Sequence, residues 1–146
     1  MNYNIKIMFW IPLRPWAGLV CLTGALTLGW SAETAVDRGR YLTEEVAKCQ
    51  ECHTPRLETG ELDRERWMKG AVLNFQPIQP IPGWHKTAPD LTSSSRLFQK
   101  WGEANMVKYL VTGLTPAGKP AGPPMPAYRM KEEDARAVVE YLKTIK

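Results

Sequence analysis

Apolar residues recur at helical spacing in three stretches of the chain. The clearest is C-terminal, where Ala135, Val138, Val139, Leu142 and Ile145 share one face and predict a helix over 132–145. Glu132, Glu133 and Asp134 crowd its first turn and Lys143 and Lys146 its last, both signs suiting the helix dipole. Met106, Val107, Leu110 and Val111 form a second stripe, predicting a helix over 103–112 that stops at Gly113. The serine cluster ahead of it predicts a short helical turn over 95–101. A first helix is predicted over 35–48, with Val36, Tyr41, Leu42 and Val46 near helical spacing. Between 54 and 94 the pattern is irregular. Pro77, Pro80, Pro82 and Pro89 exclude a continuous helix there, and 71–75 reads as one short strand. Trp67, Leu73, Phe75, Ile78, Ile81 and Trp84 predict that this long proline-rich loop packs against the rest of the domain.

Ahead of the first helix the pattern changes. Residues 1–32 hold Lys6 and Arg14 and no acidic residue, then an uncharged, mostly apolar run from Trp16 to Trp30. This is the layout of a signal peptide cleaved after Ser31. The run is shorter than the ~20 residues of a spanning helix, but the apolar 7–13 stretch before Arg14-Pro15 keeps an uncleaved membrane anchor as the alternative. The 146-residue chain is thus read as a leader over 1–32 and one domain over 33–146. Cys21 falls within the leader and follows Val20, without the small residue of a lipoprotein box. Removing the leader lowers the formal charge from +4 to +2. Lys and Arg are scattered among Asp and Glu with no basic stripe, so nucleic acid is not an indicated partner.

The candidate chemistry is Cys49-Gln50-Glu51-Cys52-His53. A C-x-x-C-H run is the attachment pattern for c-type haem: two thiols can each add to a vinyl group, and the adjacent imidazole is held as the proximal iron ligand. A C-x-x-C pair also occurs in dithiol redox proteins and zinc sites. The first needs a βαβ setting, which does not flank Cys49. The second needs further ligands, and beyond this run the chain offers only Cys21 and His85. For a second axial ligand, Met125 is the leading candidate, because Gly122-Pro123-Pro124-Met125-Pro126 holds its backbone stiffly extended. Met106 has helical periodicity and reads as core. His85, 32 residues past His53, is the competing ligand.

Several motifs stand in order along the chain: Gly39-Arg40-Tyr41-Leu42 before C-x-x-C-H, then Ala88-Pro89-Asp90-Leu91-Thr92, Pro123-Pro124-Met125-Pro126, and Ala137-Val138 with Tyr141-Leu142-Lys143. Met125 follows His53 by 72 residues. In this the chain resembles the bacterial monohaem class I c-type cytochromes, and more narrowly the cytochrome subunits that serve periplasmic dehydrogenases. The resemblance implies an all-α cytochrome c fold, three main helices around one covalent haem c, with the first and last helices crossing near Gly39 and Tyr141. It implies thioethers from Cys49 and Cys52, and His53 and Met125 as iron ligands. It implies a hydrogen bond from His53 to the Pro89 carbonyl, Leu91 packed on the porphyrin, and Trp101 donating to a propionate. The function expected is periplasmic electron transfer without catalysis of its own. The expected partners are redox proteins: a dehydrogenase, an oxidase or another cytochrome. A retained leader would add membrane association. Two alternatives stay open: a haem enzyme or gas sensor with an open iron position, and a fixed electron-transfer subunit of a dehydrogenase complex.

Overall fold

The computed structural model describes residues 33–146, so the leader reading and Cys21 lie outside the described residues. Thr34 caps the first helix by accepting from the Asp37 N–H at 3.1 Å, and α1 runs Ala35–Tyr41. It continues as a π turn, Leu42–Val46, closed by the Ala47 N–H on the Leu42 carbonyl at 2.8 Å. The short helix α2, Gln50–His53, follows at once and carries the C-x-x-C-H run. After a 3-10 turn at Arg64–Arg66, the strand β1 (Ala71–Val72) pairs antiparallel with β2 (Thr87–Ala88). The helix α3 spans Arg96–Thr112 and α4 spans Glu132–Thr144. The domain is mainly helical, and the short strand expected over 71–75 is limited to Ala71–Val72 in this two-residue ladder. No helix among the described residues is long and apolar enough to cross a membrane.

The stretch 95–112 follows from its local chemistry. Ser95 caps the start by accepting from the Phe98 N–H at 3.0 Å. Gly102, at φ 69° and ψ 165°, breaks the helical path between the short turn and the longer helix, and Gly113, at φ 69°, ends it. In α4, Ala135, Ala137, Val138, Val139, Tyr141 and Leu142 are buried, while Ile145 lies just past the helix and is half-buried.

The stripe expected on α1 is corrected. Leu42 is buried, but Tyr41 and Val46 are about half exposed. The buried face centres on Gly39 instead, which packs on α4; a residue two positions on points to the opposite side, and the π turn shifts the phase beyond it. A Cβ at Gly39 would run into the Ala137 carbonyl oxygen and lie 2.8 Å from the Tyr141 Cβ, so only glycine permits this approach. Arg38 pairs with Asp134 at 3.0 Å across the same junction.

The long loop is corrected in part: Trp67 packs against the core and Leu73 and Trp84 are half-buried, as expected, but the other three are not. Phe75 and Ile81 are exposed, Val72 more so, and Ile78 is fully so. The excursion is tied at its base by the β1–β2 ladder and braced by Phe75 packed edge-on to Trp84, ring centres 5.8 Å apart. Residues 71–84 carry no charge.

Candidate functional site

A cleft of about 670 Å³ opens between α2, α3, α4 and the loops 85–91 and 120–128. Cys49, Cys52, His53, Pro89, Leu91, Trp101 and Met125 all line it. Much of the remaining wall is apolar: Leu73, Leu97, Met106, Leu110, Val138 and Leu142.

Local chain geometry sets the first three. Lys48 turns through φ 52°, ending the π turn, and the Cys49 N–H bonds the Thr43 carbonyl at 3.0 Å. One helical turn then places Cys49, Cys52 and His53 together, with the His53 N–H on the Cys49 carbonyl at 2.9 Å. Both thiols are free. Burial pushes the Cys49 thiol up to about 11 and raises Cys52 in the same direction, so neither is a reactive thiolate at neutral pH. Among the described residues no group of three or more His, Cys, Asp or Glu side chains is gathered to hold a metal ion.

His53 is buried, and its Nδ1 stands 2.8 Å from the Pro89 carbonyl oxygen. A carbonyl only accepts, so Nδ1 carries the proton and Nε2 keeps its lone pair. Burial lowers the His53 pKa, partly countered by this bond, and the imidazole is therefore neutral at pH 7. Sequence reasoning missed what holds Pro89 in place. Gly70, at φ 80°, lets the two backbones close up: a Cβ there would lie 2.8 Å from the Ala88 carbonyl oxygen and 2.9 Å from the Asp90 nitrogen. The Gly70 N–H donates to the His53 carbonyl at 2.8 Å. Met68 is fully buried; its N–H donates to the Thr54 Oγ1 at 3.0 Å and its carbonyl accepts from the Leu91 N–H at 2.8 Å. Apart from the Thr54 hydroxyl, these ties are made by backbone, which leaves the glycine as the main signal in the sequence.

Met125, which lines the cleft, is partly buried against the core. Met106 lines the same cleft from α3, a placement that the core reading of that residue did not include. His85 lines it too, and its backbone N–H donates to the Pro123 carbonyl at 2.7 Å. Tyr128 donates its hydroxyl to the Ala47 carbonyl at 3.0 Å. Trp101 is half-buried and packs edge-on to Tyr109, ring centres 5.5 Å apart. The Tyr109 hydroxyl is buried in the cleft wall without a hydrogen-bond partner. Such a group is costly in a finished interior and is what a polar-edged ligand would leave behind.

The residues therefore fit a haem: a neutral histidine with a free Nε2, two adjacent protonated thiols, an apolar wall and an orphaned hydroxyl. Comparison with known proteins agrees. The family model described as cytochrome c matches residues 36–146. A diheme c-type cytochrome of Cereibacter sphaeroides is 34% identical over 114 residues, which is 75% of this chain and 35% of that protein. The fructose dehydrogenase cytochrome subunit of Gluconobacter japonicus is 31% identical, over 75% of this chain and 22% of that protein. A nicotinate dehydrogenase subunit of Pseudomonas putida is 29% identical, over 75% of this chain and 9% of that protein. The chain thus spans about a third or less of the length of these relatives. With a matching family model over most of its length, the chain belongs to the cytochrome c family.

Proposed function

We propose that this protein is a one-electron carrier that holds a single haem c and works in the periplasm, passing electrons to or from a dehydrogenase or another redox protein. The observation that carries the reading is the buried, neutral His53 placed beside two free thiols at the wall of an apolar cleft. Two of the relatives are by name parts of dehydrogenases, which favours that class of partner.

When bound, the haem supplies an iron that gains and loses one electron. The chain's own residues do the rest. Each of Cys49 and Cys52 would give up its thiol proton to one vinyl carbon and form a carbon–sulfur bond to the other, with no net oxidation. His53 would bind iron through Nε2, and its Nδ1 proton on Pro89 fixes the ring and raises ligand basicity. Met125 would hold the iron through its thioether, a ligand that favours the reduced state. Leu91 and the apolar wall would exclude water from the porphyrin faces, and Trp101 would meet its polar edge. The experiment is an intact mass after expression in a haem-maturing host. The chain should gain the mass of one haem, and the double variant Cys49→Ala/Cys52→Ala should gain none. A wild-type chain without added mass would refute the reading.

One observation favours a second reading, a fixed subunit of a dehydrogenase complex. Val72, Phe75, Ile78 and Ile81 expose apolar area on an uncharged loop, more than a freely diffusing domain needs to show. Sedimentation of the holoprotein purified from its own cells separates the two. A single small species supports the diffusing carrier, and a stable heavier complex that resists salt supports the fixed subunit.

A further inference from the structure

The long loop has no part in ligation on the reading above, yet its end is built into the Met125 loop. The His85 N–H donates to the Pro123 carbonyl at 2.7 Å. Its ring lies against the chain at Gly122: a Cβ there would overlap the His85 Cδ2 and Nε2 and sit 2.6 Å from the Gly83 carbonyl oxygen. His85, Gly122 and Met125 line the same cleft. On the far side of Met125, Tyr128 is tied to the Ala47 carbonyl, beside the C-x-x-C-H run. The Met125 loop is therefore gripped on both flanks.

We propose that His85 is a positioning residue for the axial methionine, its imidazole serving as a buttress that keeps the 122–126 loop seated when the iron is oxidised. This rests on Met125 being the ligand. A thioether favours Fe(II), so its bond to Fe(III) is the weaker and is retained only if the loop has little freedom to gain by leaving. Proline stiffness supplies part of that restraint. The ring of His85, an otherwise exposed residue, supplies the rest by packing directly against Gly122. The bare Gly122 is the counterpart of this device, because any side chain there would push the ring and the loop apart.

The test uses the oxidised holoprotein, with cyanide as a competing ligand and the weak red band of methionine–Fe(III) ligation as the signature. In His85→Ala the backbone N–H remains but the buttress is gone, and the apparent cyanide affinity should rise about tenfold or more. His85→Phe restores a ring against Gly122 and should return the affinity towards wild type. Gly122→Ala leaves His85 in place but forces the loop off it, so it should loosen the ligand like His85→Ala and serves if that variant does not fold. Unchanged cyanide affinity in both His85→Ala and Gly122→Ala, with the red band present in the wild type, would overturn the buttress alone. A wild type without the red band would overturn the Met125 reading and this one with it. A His85→Ala protein that turns high-spin before cyanide is added, with no recovery in His85→Phe, would make His85 itself the ligand.

Discussion

Met125→Ala is expected to lower the reduction potential by more than the roughly 59 mV that marks a tenfold change in a one-electron equilibrium. It should also let carbon monoxide bind the reduced protein and cyanide the oxidised one. A thioether favours Fe(II), so removing it stabilises the oxidised state relative to the reduced one and the potential falls. An alanine at this position offers no donor atom, so the iron position that Met125 would fill becomes available to an added ligand. Met106 is the internal control, because it lines the same cleft but is buried in α3. Met106→Leu conserves volume and should cost stability modestly while leaving the spectrum and ligand binding as in wild type. Redox titration with carbon monoxide and cyanide binding checks both variants. If Met106→Leu opens the iron and Met125→Ala does not, the ligand assignment moves to α3.

Gly39→Ala should destabilise the holoprotein by about 3 kcal/mol, at the upper end of what overpacking costs. The added methyl would meet the Ala137 carbonyl and the Tyr141 Cβ, and neither atom belongs to the movable end of a side chain. Relief requires α1 and α4 to separate, which would also disturb the Arg38–Asp134 pair. For a small domain with a stability of roughly 5–15 kcal/mol that is a large share. Val36→Ala, on the same helix but at a partly exposed position, should change stability by less than about 1 kcal/mol. Urea unfolding followed by haem absorbance gives both values. A Gly39→Ala protein as stable as Val36→Ala would mean that α1 and α4 do not approach in solution as they do in the structure.

What the sequence revealed, and what it hid, divides along physical lines. The stretch 95–112 was readable as two pieces because the serine cap and the terminal glycine are local signals, and the structure adds Gly102 as the break between them. α4 was readable because its face repeats over several turns. The face of α1 was not, since it centres on Gly39, which carries no hydrophobic signal, and a π turn without a residue signature of its own shifts the phase beyond it. The partner strand Thr87–Ala88 was invisible because two residues carry no periodicity. In the loop, hydrophobicity predicted burial for Phe75, Ile78 and Ile81, but composition does not say whether an apolar residue meets its own chain or another. The site residues chosen from the sequence all line one cleft, because C-x-x-C-H is contiguous and the proline-framed methionine stands out. The roles of Gly70, Met68 and His85 emerge only when distant backbones are brought together.

The ligand-binding and redox expectations depend on a covalently held haem with methionine as a second iron ligand. The decisive experiment is the visible spectrum of the protein from a haem-maturing host, recorded oxidised and reduced. A c-type spectrum should appear on reduction, and the weak red methionine–Fe(III) band on oxidation. A high-spin spectrum that shifts with carbon monoxide would contradict this in favour of an open-site haem enzyme or sensor, and no haem absorbance would contradict it altogether.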